Sequence, residues 1–153
     1  MKWAIALFVL GFAAALMAAA QPVPSTLTAL ATKARLDGPV AAWCSGEFRP
    51  GRPGGYAVAV TSGAGGGRYV VLDTDATVTE LALFKRAADL SCYSRGQAEK
   101  LDVTISRSET IQGHIAPRWN TTVVCGFIDE TTAACWQYSP AGRTFVKVGE
   151  WVT

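Results

Sequence analysis

The alternation of apolar and polar residues is clearest near the C-terminal end of the sequence. Three β-prone runs, Thr121–Ile128, Thr132–Ser139 and Arg143–Thr153, are separated by the short segments Asp129–Thr131 and Pro140–Gly142. Runs of this kind joined by short polar or Pro/Gly turns predict an antiparallel meander. We therefore expect three antiparallel strands here, as the element around which the rest of the chain is built.

The turn of the first hairpin predicts its register. If Glu130 centres a three-residue loop, Cys125 lies directly opposite Cys135. Because side chains alternate between the two faces of a strand, the faces can be assigned. One face then carries Val123, Cys125, Phe127, Ala133, Cys135 and Gln137, and the other carries Val124, Ile128, Ala134, Trp136 and Tyr138. Both faces are largely apolar, which predicts a hairpin inside a sheet covered on both sides.

Shorter apolar runs predict the remaining strands. These runs are Val40–Phe48, Tyr56–Val60, Tyr69–Leu72, Thr77–Phe84 and Asp89–Tyr93. The four-residue connection Asp73–Ala76 is typical of a hairpin loop. In the third run of the meander, alternation places Val146, Val148 and Val152 on one side and Phe145, Lys147 and Trp151 on the other. Residues 113–117, which contain Gly113 and Pro117, are expected to be irregular.

Two helices are predicted. The first covers about Thr26–Leu36, with Ser25 as its N-cap and Gly38-Pro39 after its end. The second begins at Arg95, because Ser94 and Gln97 have the spacing of a capping box. Strict alternation over Leu101–Ile105 favours a strand instead. Ala98, Leu101 and Ile105 also form a helical stripe, so we predict a helix to about Ser106.

Residues 1–20 have the pattern of a secretory signal peptide. Lys2 supplies a positive charge, Ala4–Ala20 is apolar throughout, and Ala18–Ala20 offers a small-residue cleavage site before Gln21. An uncleaved anchor is the alternative, but the apolar run is at the short limit for a membrane span. We therefore expect a mature chain of residues 21–153, located in the periplasm or secreted, without membrane attachment after cleavage.

The mature chain has the size and charge of one ordinary domain. Removing residues 1–20 takes away only Lys2 of the 14 basic side chains, which leaves 13 against 12 acidic ones. Such a balance argues against a nucleic-acid partner, which would require a basic surface. We predict a single α+β domain dominated by an antiparallel sheet of roughly six to eight strands, with one or two short helices.

All four cysteines, Cys44, Cys92, Cys125 and Cys135, lie in the predicted mature chain. An even number in an exported protein predicts two disulfides, and no pair has the close spacing of a zinc site. Three pairings are possible. The hairpin register favours Cys125–Cys135 and hence Cys44–Cys92. The rival pairing joins each hairpin cysteine to Cys44 or Cys92.

Motifs for chemistry are weak. His114 is the only histidine, so acid–base catalysis through an imidazole would depend on it, with Asp102, Ser106, Ser108 or Glu109 as a candidate partner. None of these residues forms a known nucleophile motif, and a loop histidine without a catalytic role is the favoured interpretation. Two glycine-rich segments, residues 51–55 and 63–67, lack the Lys-Ser/Thr of a phosphate-binding loop and are predicted to be hairpin loops.

Two further patterns are considered as ligand sites. Asp73 and Asp75 match the start of a calcium loop, but the rest of that motif is absent, so turn chemistry explains them and no metal or other cofactor is predicted. Tryptophans are numerous, and Trp43 and Trp119 are the candidates for a binding surface, with Trp119 expected nearest the surface. Burial in the core is the favoured role for the aromatic residues as a group.

These patterns favour an exported, non-catalytic binding or interaction module of the bacterial cell envelope. Such a module could inhibit another secreted protein or act as its accessory, and its partner would be a protein or glycan of the envelope. The first alternative is a small secreted hydrolase that uses His114. The second is a carbohydrate-binding module that uses exposed tryptophans.

Overall fold

The computed structural model describes residues 21–63, 65–85 and 89–153. The predicted signal peptide, residues 1–20, lies outside the described residues. The described part of the chain forms the following elements: α1 Ser25–Lys33, β1 Val40–Gly46, β2 Gly55–Thr61, β3 Gly67–Leu72, β4 Val78–Phe84, β5 Leu90–Tyr93, α2 Arg95–Arg107, β6 Gln112–Ile115, β7 Val123–Phe127, β8 Thr132–Ser139 and β9 Thr144–Val152.

The α+β class dominated by antiparallel strands is confirmed. The nine strands of the described part form two sheets, where the sequence predicted one sheet of six to eight strands. Sheet 1 has the order β1-β2-β3-β4, and sheet 2 has the order β5-β7-β8-β9-β6. All the strand pairs are antiparallel.

Three clusters of apolar side chains show that the protein has four layers. Leu27 and its neighbours on α1 cover one face of sheet 1. The opposite face of sheet 1 packs on sheet 2, and the buried Tyr69 donates its hydroxyl to the carbonyl of Phe127 at 2.6 Å. Ala98 and Ile105 of α2 cover the outer face of sheet 2. The β7–β8 hairpin is therefore covered on both sides, as its two apolar faces predicted.

The predicted register of this hairpin is confirmed, with Cys125 opposite Cys135 and Phe127 opposite Ala133. The predicted faces of β9 are correct only in its first half. A register shift between Cys135 and Trp136 makes Val148 an extra residue in β9. Such a bulge resets the alternation, so Trp151 joins the α2-side cluster and Val152 lies on the opposite face, directly across from Thr132.

The helices follow the predicted signals with one correction. The capping box of α2 is present: the Ser94 hydroxyl accepts the Gln97 N–H, and the Gln97 side chain accepts the Ser94 N–H. The prediction of Ser25 as the N-cap of α1 was wrong. Ser25 is already helical, and Pro24 occupies the cap position without a side-chain hydrogen bond. A proline with extended backbone can precede the first turn, because that turn needs no N–H from it.

The prediction of an irregular segment over residues 113–117 was wrong in its first part. Gln112–Ile115 is the edge strand β6, paired with β9. Glycines on both strands permit this pairing: a Cβ at Gly113 would collide with Trp151, and one at Gly149 would come within 2.6 Å of the His114 carbonyl oxygen. His114 therefore lies in a strand and not in a loop.

The structure contains the two disulfides of the favoured pairing. Cys125–Cys135 links opposite residues of the hairpin, with Cα atoms 4.1 Å apart. Cys44–Cys92 links β1 of sheet 1 to β5 of sheet 2, with Cα atoms 5.7 Å apart. Both are typical of an oxidising, extracytoplasmic compartment.

Candidate functional site

The four edges of the two sheets are the natural places to look for a binding surface, because an edge presents unpaired backbone N–H and C=O groups. Two of these edges, β1 and β5, face each other at one corner of the sandwich. The Cys44–Cys92 disulfide joins them there. Beside the corner, the Thr122 N–H donates to the Glu47 carbonyl oxygen at 2.8 Å. The edges that remain are β6 in sheet 2 and β4 in sheet 1.

The β6 edge is capped by helix α2. The Asp102 carboxylate, on α2, accepts the backbone N–H of Ile115 with Oδ1. The same oxygen lies 2.8 Å from His114 Nδ1. One carboxylate thus binds both a backbone group and a side chain of the strand. Asp102 therefore anchors α2 to β6 and satisfies an edge amide that would otherwise be open.

The pair of His114 and Asp102 is also the arrangement by which a carboxylate orients a catalytic imidazole. The sequence named Asp102 among several candidate partners, and the structure brings these two together. The His114 side chain is 69% exposed, while Asp102 is 19% exposed. Within the described residues, no hydroxyl hydrogen-bonds to His114 and no cysteine is free, so the contacts define an oriented histidine without a nucleophile.

The other predicted partners of His114 have separate roles or positions. The Ser108 hydroxyl accepts the backbone N–H groups of Thr110 and Ile111, and so it orders the turn after α2. Ser106 and Glu109 are exposed. Their closeness to His114 in sequence does not give them a contact with its imidazole.

Trp119 lies in a segment that one buried side chain holds in place. The fully buried Gln137 accepts the backbone N–H groups of Arg118 and Trp119 with Oε1. Its Nε2 donates to the carbonyl oxygens of Trp119 and Thr121. All the polar capacity of this amide is therefore used on the backbone, and Trp119 itself packs, half-buried, on the α2-side cluster.

Trp43 is also half-buried, and its ring meets Tyr56 edge-on with centroids 5.9 Å apart. No Trp, Tyr or Phe of the described residues falls in the exposed class. A flat platform of exposed rings, which a sugar would require, is thus missing from the described surface. The two predicted binding tryptophans lie apart, Trp43 on the α1 side of sheet 1 and Trp119 on the α2 side of sheet 2.

A charged cluster ties the two sheets together near the start of β4. Arg49 Nε lies 3.0 Å from Asp73 Oδ2, although the N–H is not aligned for a hydrogen bond. The same guanidinium donates to the Thr79 hydroxyl and lies 4.9 Å from the centre of the Tyr138 ring in sheet 2. Burial raises the pKa of Asp73, and the charge of Arg49 opposes that rise. The groups of this cluster contact one another, so the cluster holds sheet 1 and sheet 2 together.

The glycine-rich segments and the second acidic residue of the calcium-like pattern form turns. Gly51 N–H donates to the Glu47 carboxylate, and Gly51 and Gly54 have positive φ angles in the β1–β2 loop. The Asp75 carboxylate accepts the Thr77 N–H at 2.9 Å, which shapes the β3–β4 turn. These side chains therefore hold the backbone of their own loops.

The β4 edge, which we define as the backbone of Val78–Phe84 on the side away from β3, is open. The Asp73 N–H bonds to the Thr77 carbonyl oxygen, so the backbone groups of Thr77 point toward β3. Because this direction alternates along a strand, the backbone groups of Glu80, three residues further on, point outward. At the other end, the Lys85 N–H points outward to the Ile128 carbonyl oxygen, and Leu83 has the same orientation. Among the described residues, no backbone group of β4 bonds to anything but β3.

A groove lies at the end of this edge. It has a volume of about 520 Å³ and is lined by Ser62, Gly66, Gly67, Leu83, Phe84, Lys85, Ile128 and Asp129. Leu83 is 69% exposed, the most exposed large apolar side chain of the described residues. No pattern in the sequence indicated this surface. Leu83 was predicted within a strand, and its exposure depends on which side of β4 has no neighbour.

Comparisons with models of protein families, with curated proteins and with solved structures gave no match for this chain. Within the described residues, no helix has both the length and the apolar character needed to cross a membrane.

Proposed function

We propose that this protein is an exported, non-catalytic interaction module of the bacterial cell envelope, located in the periplasm or secreted, and that it binds a protein partner at the β4 edge. The observation that supports this proposal is the contrast among the sheet edges. β1 and β5 meet at a disulfide-linked corner, and Asp102 caps β6, but β4 carries outward-facing amides and the exposed Leu83.

The exposed leucine and the groove give the partner an apolar contact. An exposed apolar side chain beside unpaired backbone groups is the combination used by domains that bind extended peptides. The two disulfides support an extracytoplasmic location, where a small domain benefits from covalent cross-links. An inhibitor of another secreted protein, or an accessory to one, would use such a surface.

A second candidate function, a small hydrolase, rests on the contact between His114 and Asp102 alone. A general base contributes on the order of 10²–10⁴-fold to a rate, so an enzyme that used His114 would lose activity on His114→Gln to that extent. We expect no such loss in any hydrolytic assay of the mature protein. A loss of this size, with the circular dichroism spectrum unchanged, would favour the hydrolase instead.

Site-specific photocrosslinking tests the proposed surface. A photoreactive phenylalanine analogue is placed at Leu83, or at Val103 as an exposed control on α2, in the organism that produces the protein. We expect one defined protein adduct from position 83 and none from position 103. The adduct should disappear when excess purified wild-type protein competes, and it should persist when the competitor is the Leu83→Glu variant. Equal adducts from both positions would contradict the proposal.

A further inference from the structure

The two sheets of the sandwich have unequal numbers of strands, and this leaves a space beside β4. The corner that Cys44–Cys92 joins aligns β1 with β5, so the five-stranded sheet 2 extends beyond the four-stranded sheet 1 on the side of β4. Contacts between the sheets agree with this alignment. Tyr69 in β3 donates its hydroxyl to the Phe127 carbonyl oxygen in β7, and its ring is 6.1 Å from the ring of Trp136 in β8. Within the described residues, β6 and much of β9 then have no strand opposite them.

The face of sheet 2 that projects past β4 is exposed and polar. We call this face the floor, and it consists of Gln112, His114, Lys147, Glu150 and Val152. His114 is directly opposite Glu150 in the β6–β9 pair, and Gln112 is directly opposite Val152. All five residues are in the exposed class, as expected for a face with no layer above it. The β4 edge and the floor together form a step, which we call the slot.

We infer that the slot is the docking site for one extended segment of a partner protein, which adds to sheet 1 as a fifth strand beside β4. This inference rests on the proposed function and specifies its geometry. Neighbouring strands lie about 4.8 Å apart, so a strand added beside β4 would lie over the floor. The outward N–H groups of Glu80 and Leu83 bond to no described residue, and the carbonyl groups of an added strand would accept them.

A second copy of the chain does not fit this position. If β4 paired with β4 of another copy about a two-fold axis, sheet 1 would continue from one molecule into the next. The parts of sheet 2 that project past β4 in the two copies would then occupy the same space.

The charges of the floor indicate which side chains the segment carries. Lys147 is bonded to Glu150 at 2.7 Å, and His114 contacts Asp102 at 2.8 Å. Because the charges of Lys147 and Glu150 are paired with each other and the His114 ring is already bound to Asp102, neutral polar side chains complement the floor better than charged ones, which would have to break one of these contacts. The segment's side chains that point down to the floor are therefore of the Ser, Thr, Asn or Gln type.

One end of the slot is apolar. Val152 is 44% exposed, and its neighbour Thr153 donates its N–H to the Thr131 carbonyl oxygen. That bond places Val152 beside the β7–β8 turn, where Lys85 at the end of β4 also bonds to Ile128. Leu83 and Val152 thus lie at the same end of the slot, next to the groove. The bound segment is expected to place one large apolar side chain here.

Proline substitution tests strand addition without breaking a bond of the native sheet. Glu80→Pro removes an outward N–H, which bonds to no described residue, and Glu80→Ala is the matched control that keeps it. The probe is an eight-residue peptide selected on the wild-type protein from a library in which neutral polar and apolar residues alternate. We expect binding to weaken about tenfold or more in Glu80→Pro and to change less than about twofold in Glu80→Ala. The peptide should also slow amide exchange at Glu80 and Leu83.

Three outcomes would overturn strand addition. A selection that yields no binder, or a peptide that binds Glu80→Pro and wild type equally, would show that the β4 backbone is not the recognition element. A protein dimer that is lost in Glu80→Pro would show that the second strand comes from another copy. The proposed function, binding of a protein partner at the β4 edge, is tested separately by the crosslink from Leu83. A partner that bound through side chains alone would still give that crosslink.

Discussion

The edges β4 and β6 are antiparallel strands at equivalent positions of their sheets, yet their outward backbone N–H groups differ in whether they are hydrogen-bonded. At β6, Asp102 accepts the Ile115 N–H, so that α2 covers the edge. At β4, the only outward backbone bond to another described residue comes after the strand, from Lys85 to Ile128, and Leu83 is exposed. An edge that is left open has to be tolerated by the fold or used by a partner. Of these two edges, β6 is therefore capped by a side chain of α2, and β4 has no such cap among the described residues.

The largest effect is expected at the corner where the other two edges meet. Replacing Cys44 and Cys92 by Ala should lower the free energy of unfolding by about 4 kcal/mol, because the disulfide closes a long loop with a sequence separation of 48. Replacing Cys125 and Cys135, which are 10 residues apart, should cost about 3 kcal/mol. Urea denaturation of both double variants measures the difference. An equal or reversed order would show that the corner is held by packing and not by its disulfide.

A pair of proline variants compares the two sides of β4. The backbone groups of Val78 and Glu80 point outward, so the N–H of Thr79, which lies between them, points the other way, toward Val71 in β3. Thr79→Pro should therefore cost about 2–3 kcal/mol, because the N–H is lost and its acceptor is left unpaired. Glu80→Pro should cost less than about 1 kcal/mol, since it removes only an outward N–H and an exposed ion pair with Arg68.

Equilibrium unfolding in urea gives both values, with Thr79→Ala and Glu80→Ala as controls for the lost side chains. If Glu80→Pro were as destabilising as Thr79→Pro, the Glu80 N–H would be bonded in the folded protein. The β4 edge would then be closed, and the contrast with β6 would disappear.

Removing the cap of β6 should have a moderate effect. Asp102→Ala leaves the Ile115 N–H without its acceptor and is expected to cost about 1–2 kcal/mol. Asp102→Asn keeps an acceptor oxygen and should cost less. Hydrogen exchange measured by NMR should show faster exchange at Ile115 in Asp102→Ala, with the amides of β4 unchanged. A change at β4 in this variant would mean that the two edges are coupled through the core.

Local patterns predicted much of this fold, because they depend on neighbours in sequence. The Ser94–Gln97 capping box and the turn around Glu130 are set within a few residues, and both were predicted correctly. The strand β6 was missed because it forms only where Gly113 and Gly149, which are distant in sequence, let two backbones approach. The bulge at Val148 likewise belongs to the pairing of β9 with β8 and leaves no mark in the alternation of β9 itself.

The candidate site was less predictable than the fold for a related reason. Asp102 was named as a possible partner of His114, but its main contact, the Ile115 N–H, requires an edge strand that the sequence did not indicate. Leu83 reads as an ordinary residue of an apolar strand. Its exposure follows from the order of the strands and from the unequal widths of the two sheets, which no local pattern contains.

The smallest expected effect concerns the bond from Lys85 to Ile128 at the end of the β4 edge. Ile128 begins the turn that Asp129 shapes, because the Asp129 carboxylate accepts the N–H groups of Thr131 and Thr132 at 2.9 and 2.8 Å. These bonds lower the pKa of Asp129 below its usual value of 3.8. A group whose pKa is lower in the folded state stabilises the fold above its unfolded pKa, and that contribution is lost as the pH falls below 3.8.

Acidification from pH 5 to about pH 3 should therefore lower the protection of the Thr132 amide, and then that of the Lys85 amide, whose acceptor sits on the same turn. Protection here means the intrinsic exchange rate at each pH divided by the measured rate. Asp129→Asn keeps an acceptor oxygen but does not titrate, so the protection of these two amides should change less over the same pH interval. Ile115 serves as the internal reference at the β6 edge. If the protection of Lys85 were the same at both pH values in the wild type, the turn would not hold the end of β4, and this edge would be open along its whole length.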